Sequence, residues 1–199
     1  HPEYRRQRQM CIRDSDILEK NLRIPCFDLI NSVSEIVNKK IIGVFATQTT
    51  VKSSYYKNAI SSKKENLKII QQECPEFVPE IEKENLDFSK LDYLSDLYLK
   101  PLINKNIEEL ILGCSHYPLI YEFLRKKVDH NIRIIDPSKA LIKKFNESFA
   151  IPKTDRYKSL SYENIQFFVT SDKDVFAKKV KFWLEVHKEI RLVNLRSNV

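Results

Sequence analysis

The stretch Glu109-Leu-Ile-Leu-Gly-Cys-Ser-His-Tyr-Pro118 decides the fold class. Glu109–Leu112 reads as a buried strand. It runs into Gly113, then into Cys114, Ser115 and His116, and Pro118 lies in the first turn of a helix predicted to reach Val128. Proline suits that turn because its missing N–H would have no helical partner there. Strand, tight polar loop and helix in ten residues describe one unit of an α/β sheet.

The chain on either side repeats the alternation. Lys40–Ala46 is apolar on both faces, as buried parallel strands are. Thr47–Thr50 reads as a polar loop, and Val51–Ser61 as a helix with Thr49 or Thr50 as its N-cap. Ile24–Ile30, Leu67–Gln71, Ile132–Ile135 and Ile165–Thr170 read as further strands, and the tail from Arg191 as a weak one. Ser32–Asn38, Leu91–Asn104, Ser138–Phe149 and Asp172–Val186 read as helices, with Pro101 a candidate break. Cys74–Glu84 is punctuated by proline, and 152–163 reads as a surface loop. The expected class is α/β with a mainly parallel sheet, whose ligands bind at the carboxyl ends of its strands. The only two glycines, Gly43 and Gly113, lie near the ends of strand-like runs and mark two candidate functional loops.

Composition narrows the function. At 199 residues the chain can form one large domain or one and a half small ones. No apolar run approaches the roughly 18 residues of a membrane span. No apolar segment follows the N-terminal arginines as in a signal peptide, so the cytoplasm is expected. The net charge of +7 comes from lysines scattered among Glu and Asn, without the basic and aromatic strip of a nucleic-acid binder. The four cysteines have no Cys-x-x-Cys pair, so neither a metal site nor a thioredoxin-like motif is expected. Residues 1–15, rich in Arg and Gln, differ from the Lys-, Ile- and Asn-rich remainder and read as a non-native leader.

Chemistry concentrates at Cys114. A thiol at a strand end and near a helix N-terminus meets positive partial charge, which favours the thiolate. A free thiol titrates near pH ~8.5, so this setting suits a base working near neutrality. Ser115 and nearby backbone N–H groups can hold a carboxylate, and His116 can assist proton transfer or stabilise the thiolate. A buried cysteine on a capped turn is the plainer alternative. Gly, Cys, Ser and His in four successive positions favour chemistry. In the second loop, three threonines, Thr47, Thr49 and Thr50, follow a buried strand; plain N-capping accounts for one of them, and the functional reading is hydroxyl donors facing a small polar ligand.

These residues carry a resemblance. Leu112-Gly-Cys-Ser-His-Tyr-Pro-Leu119 closely resembles the Leu-Gly-Cys-Thr-His-Tyr-Pro-Leu segment of glutamate racemases. Ile42-Gly-Val-Phe-Ala-Thr-Gln-Thr-Thr-Val-Lys-Ser53 is similar to their Ile-Gly-Val-x-x-Thr-x-x-Thr-x-x-Ser segment. Cys74-Pro-Glu-Phe-Val-Pro-Glu-Ile-Glu82, Ile135-Asp-Pro-Ser-Lys-Ala140 and Phe167-Phe-Val-Thr-Ser-Asp172 follow in the family's order. The resemblance implies interconversion of L- and D-glutamate without a cofactor, supplying D-glutamate for peptidoglycan. It implies a small-molecule partner, glutamate, with no nucleic acid, membrane or metal, and a homodimer as the candidate assembly. Two cysteines on opposite faces of the substrate Cα would exchange its proton, and Cys114 matches the second. Ser115 and His116 match substrate contacts, Thr47 and Thr50 match threonines near the substrate, and Glu82 matches an assisting carboxylate.

The family's first cysteine lies in a Cys-Asn-Thr segment upstream of the region matched by Ile24–Ile30, and these 199 residues contain no such segment. A Pro-Tyr-Gly segment is absent too, and the one Asp-Ser pair, Asp14-Ser15, falls in the leader. The chain therefore resembles a racemase without its N-terminal third and is expected to be inactive alone. Cys26 is read as core, Cys74 as structural, and Cys11 falls in the leader. The implied architecture is two similar α/β domains with the site between them. Residues 16–112 would form the second domain. Residues 113–199 would return to the first, with apolar surface left exposed there and poor stability as an isolated chain. The alternatives are a related aspartate racemase and a nonenzymatic basic binding module, and only the latter would tolerate Cys114→Ala.

Overall fold

The computed structural model describes residues 21, 25–83, 85–149 and 165–194. Residues 1–15 and the loop expected over 152–163 lie outside these. The described residues fall into two compact units, one of residues 25–81 and 87–149, the other of 82–83, 85–86 and 165–194.

The first unit opens on helix α1, Leu29–Ile36. Strand β1, Ile41–Ala46, follows, then helices α2, Gln48–Ser53, and α3, Tyr55–Ser61. Strand β2 is Lys68–Glu73, and helices α4 and α5 span Phe77–Ile81 and Phe88–Ile103. Strand β3, Glu109–Leu112, leads through a 3-10 turn, Tyr117–Ile120, into α6, Tyr121–Lys127. Strand β4, Arg133–Ile135, and α7, Pro137–Ser148, complete it. The strands form one parallel sheet in the order β2-β1-β3-β4. In register, Phe45 stands beside Gln72 on one side and Leu112 on the other, and Ile111 stands beside Ile135. Every strand therefore ends at the same edge.

Period-2 alternation sends successive β1 side chains to opposite faces. Ile42, Val44 and Ala46 pack with Val33, Val37, Ala59, Ile60 and Ala140 on one face. On the other, Phe45 meets Phe77, which also carries Tyr98 and Tyr117 edge-on at ring distances of 5.1 and 5.4 Å. Burying each such side chain contributes roughly 1.5–3 kcal/mol relative to leaving it exposed. At the amino edge, the fully buried Glu109 carboxylate accepts the Asn38 N–H at 3.2 Å and pairs with Arg133 at 2.9 Å. Breaking that pair at Arg133 would strand a buried charge.

Several local expectations are corrected. Residues 25–28 form no strand, because Asp28 caps α1 by accepting the Asn31 N–H at 2.7 Å. Thr47–Thr50 is not a loop: Thr47 is the N-cap, and the helix starts at Gln48. It breaks at Ser54, whose φ is 55°, before α3. Pro101 sits in the last turn of α5 and does not break it, since only the bond to the Leu97 carbonyl is lost there. β4 pairs with β3, and Lys144 of α7 reaches Glu35 of α1 at 2.6 Å. The change of domain expected at 112/113 thus falls inside the first unit, which extends to the end of α7.

Gly43 marks no loop. It lies within β1, where a Cβ would meet Leu102 Cδ1 at 2.9 Å and Ile107 Cδ1 at 3.0 Å. Gly113 does stand at a strand end, and its N–H donates to the Phe45 carbonyl at 2.7 Å. A Cβ there would meet that same carbonyl oxygen at 2.7 Å and the Tyr56 ring at 2.9 Å. Close approach, and not positive φ, is what each glycine supplies.

In the second unit, β5, Phe167–Val169, pairs in parallel with β6, Ile190–Leu192, around helix α8, Lys173–Leu184. Among the described residues, Val180 and Ile190 are its buried apolar ones, while Phe168, Phe182 and Leu192 are each more than half exposed. Among the described residues, no helix is long and apolar enough to cross a membrane.

The two glycines should respond differently to alanine. Gly43→Ala meets flexible side-chain ends and is expected to destabilise by about 1 kcal/mol. Gly113→Ala meets backbone and is expected to cost about 2–3 kcal/mol, the upper part of the overpacking range. Urea unfolding midpoints of the two variants check the order.

Candidate active site

The parallel register places the end of β1 against the end of β3, so the segments that follow them share one edge. From β3, Gly113 leads to Cys114, which is partly exposed. Its Sγ lies 3.8 Å from His116 Nδ1. The hydrogen bond to Cys114 raises the His116 imidazole above its ordinary range, against the opposing effect of burial. A helix dipole was expected to favour the thiolate. Cys114 precedes the 3-10 turn Tyr117–Ile120, which runs directly into α6, and His116 is its local side-chain partner.

Tyr117 anchors this loop. Its N–H donates to the Cys114 carbonyl at 3.1 Å, and its buried hydroxyl donates to the Cys74 carbonyl at 3.2 Å. Burial pushes the Tyr117 hydroxyl well above the usual phenol range, so it remains a donor. Cys74 itself is buried, and burial pushes its thiol far up, which leaves it a poor nucleophile.

From β1, Thr47 Oγ1 lies 3.0 Å from Thr50 Oγ1 and accepts the Thr50 N–H at 3.4 Å. Ser53 Oγ donates to the Thr50 carbonyl at 2.8 Å. The two segments wall a cavity of about 480 Å³. Its lining includes Thr47, Thr49, Thr50 and Ser53 from one side and Gly113, Cys114, Ser115 and His116 from the other. Phe27, Asp28, Leu29, Ile30, Tyr55, Tyr56, Val78 and Leu141 complete it. A smaller recess of about 130 Å³ shares Cys114 and Ser115 and reaches Asp136 and Ser138.

Five of the six residues singled out from the sequence, Thr47, Thr50, Cys114, Ser115 and His116, thus come together. Glu82 does not line this cavity. It belongs to the second unit, where its carboxylate pairs with Lys179. The neighbouring Glu80 is the buried carboxylate, and it accepts the Asp87 N–H at 3.4 Å. Sequence reading missed Asp28, Tyr55 and Tyr56. Asp28 did carry a signal, since an aspartate just before an apolar helical run is an N-cap pattern. Burial, and then Asp28 and Cys114, push the Tyr56 hydroxyl above its ordinary range. Among the described residues, no cluster of His, Cys, Asp or Glu could hold a metal ion. A mildly basic imidazole against a thiol, facing a wall of hydroxyls, suits proton transfer to or from a small polar ligand.

No family model matches the chain. The chain is 43% identical over 183 residues to a glutamate racemase of Prochlorococcus marinus strain NATL2A, covering 92% of this chain and 69% of that protein. The crystal structure of Francisella tularensis glutamate racemase in complex with D-glutamate is similar with a TM-score of 0.73 and 28% identity, over 92% of this chain and 69% of that one. A glutamate racemase isoform from Bacillus anthracis shares the fold, with a TM-score of 0.75 at 24% identity, over 90% of this chain and 68% of that one. With a relative of this identity matched over more than two thirds of its length, the chain belongs to the glutamate racemase family, isomerases of peptidoglycan synthesis.

Proposed function

We propose that the cavity beside Cys114 binds glutamate and that Cys114 is one of two opposed acid/base groups that invert its Cα. The observation that carries this reading is the convergence of Cys114, His116, Thr47 and Thr50 on one cavity from two separate strand ends. The Cα–H of an amino acid is a weak acid. As a thiolate, Cys114 would take that proton, leaving the electron pair delocalised into the α-carboxylate, while an acid on the other face returns a proton to Cα. In the reverse direction the Cys114 thiol is the donor. Ser115, Thr47 and Thr50 would hydrogen-bond carboxylate oxygens, and His116 would hold the thiolate by a charge-assisted contact. The Francisella relative was solved with D-glutamate, which suits a site of this chemistry. This reading assigns no step to Glu82.

The second acid/base group is proposed to stand on the far side of the substrate, in a two-domain arrangement with the site between the domains. The exposed Phe168 and Leu192 on the two-stranded sheet of the second unit suit a sheet that is larger in the assembled enzyme. Among the described cysteines, Cys114 alone lines the cavity.

Two outcomes are expected. The 199-residue polypeptide should not interconvert glutamate enantiomers, which a chiral assay of product checks; sustained inversion would overturn the two-group reading. NMR titration of the His116 ring should give a midpoint above the usual ~6.5. A raised folded value means the imidazolium is favoured below that ordinary value and loses its advantage as pH rises through the raised one. Cys114→Ala should bring the midpoint down, because it removes the sulfur partner.

A further inference from the structure

Tyr117 is fully buried behind the cavity wall and lines neither recess. Its ring stands edge-on to Phe77 at 5.4 Å, in the cluster that also holds Phe45 and Tyr98. Ring packing of this kind has no use for a phenol hydroxyl, and burying one without a partner is costly. The hydroxyl finds its partner at a particular place. It donates to the Cys74 carbonyl at 3.2 Å. Cys74 in turn donates its N–H to the Ala46 carbonyl at 3.0 Å, and Ala46 is followed directly by Thr47, the cap of α2. In the other direction, the Tyr117 N–H donates to the Cys114 carbonyl at 3.1 Å. Tyr117 therefore joins the thiol wall of the cavity to the threonine wall through one backbone residue, Cys74.

We propose that Tyr117 is a positioning residue for proton transfer at Cys114, its hydroxyl holding the Cys114 loop where thiol and imidazole meet. This rests on the reading of Cys114 as an acid/base group. The loop has two fixed points. Gly113 is tied to the Phe45 carbonyl at 2.7 Å, and Tyr117 is tied to the Cys74 carbonyl. Cys114, Ser115 and His116 are the three residues between them. The contact of Cys114 Sγ with His116 Nδ1, at 3.8 Å, lies wholly within that span. Hydrogen bonds weaken steeply as their angle departs from linearity, so a loop released at one end would lose this contact for part of the time. The same release would let the thiol wall drift from the threonine wall.

The test compares two variants of the 199-residue chain. Tyr117→Phe keeps the ring and removes only the donor. Tyr98→Phe is its matched control, because the Tyr98 ring packs on the same Phe77 at 5.1 Å while its hydroxyl accepts the Glu76 N–H at 3.4 Å. Iodoacetamide labelling of Cys114 near neutral pH, read by mass spectrometry, should slow about two- to fivefold in Tyr117→Phe, the upper end being the scale of one neutral hydrogen bond. The NMR midpoint of the His116 ring should fall toward the ordinary ~6.5 in the same variant. Tyr98→Phe should leave rate and midpoint at their wild-type values. A chain carrying 4-aminophenylalanine at position 117, which keeps an N–H donor in the place of the hydroxyl, should label and titrate as the wild type does. Equal rates and midpoints in Tyr117→Phe and Tyr98→Phe, or slowed labelling in the amine variant, overturn the assignment to Tyr117 and leave the glutamate reading standing. Wild-type Cys114 that labels equally fast with and without saturating glutamate overturns the glutamate reading, and the positioning role with it.

Discussion

The hydrogen bond from the Gly113 N–H to the Phe45 carbonyl, at 2.7 Å, ties the end of β3 to the end of β1. It extends the parallel ladder one residue past the last paired positions, Phe45 and Leu112. Only a residue without a Cβ fits there, because the carbonyl oxygen and the Tyr56 ring fill the space a Cβ would take. The threonines after β1 and the thiol after β3 are brought to one cavity by this contact. The edge it forms is where an open parallel sheet places its ligands.

Two cysteines near that edge differ by environment alone. Cys74 follows β2 and is buried, so its thiol is held neutral. Cys114 follows β3 on a loop pinned by Tyr117 and has the His116 ring beside its sulfur. The Tyr117 hydroxyl reaches from the Cys114 loop to the Cys74 carbonyl, so the inert segment braces the exposed one. Burial sets Cys74 apart, and the neighbouring imidazole marks Cys114.

Much of this was legible in the sequence. Apolar runs such as Ile41–Ala46 and Glu109–Leu112 marked the sheet because both faces of a parallel strand are covered. The Gly-Cys-Ser-His cluster marked the site because each residue type has a distinct chemical use. Features set by tertiary contacts were less legible. Residues 25–28 look strand-like, yet Asp28 caps a helix that packs on the sheet. Which of three threonines would cap α2 depended on the strand ending at Ala46. β4 and α7 belong to the first unit because Ile135 pairs beside Ile111 and Lys144 reaches Glu35, long-range contacts that no local pattern announces. Asp28 entered the cavity for the same reason.

The central claim is that glutamate occupies the cavity against Cys114. Alkylation of the chain with iodoacetamide, read cysteine by cysteine by mass spectrometry, tests it most directly. Glutamate should slow labelling of Cys114 in proportion to its occupancy and leave labelling of Cys26, which does not line the cavity, unchanged. Labelling of Cys114 at the same rate with and without saturating glutamate would contradict the account.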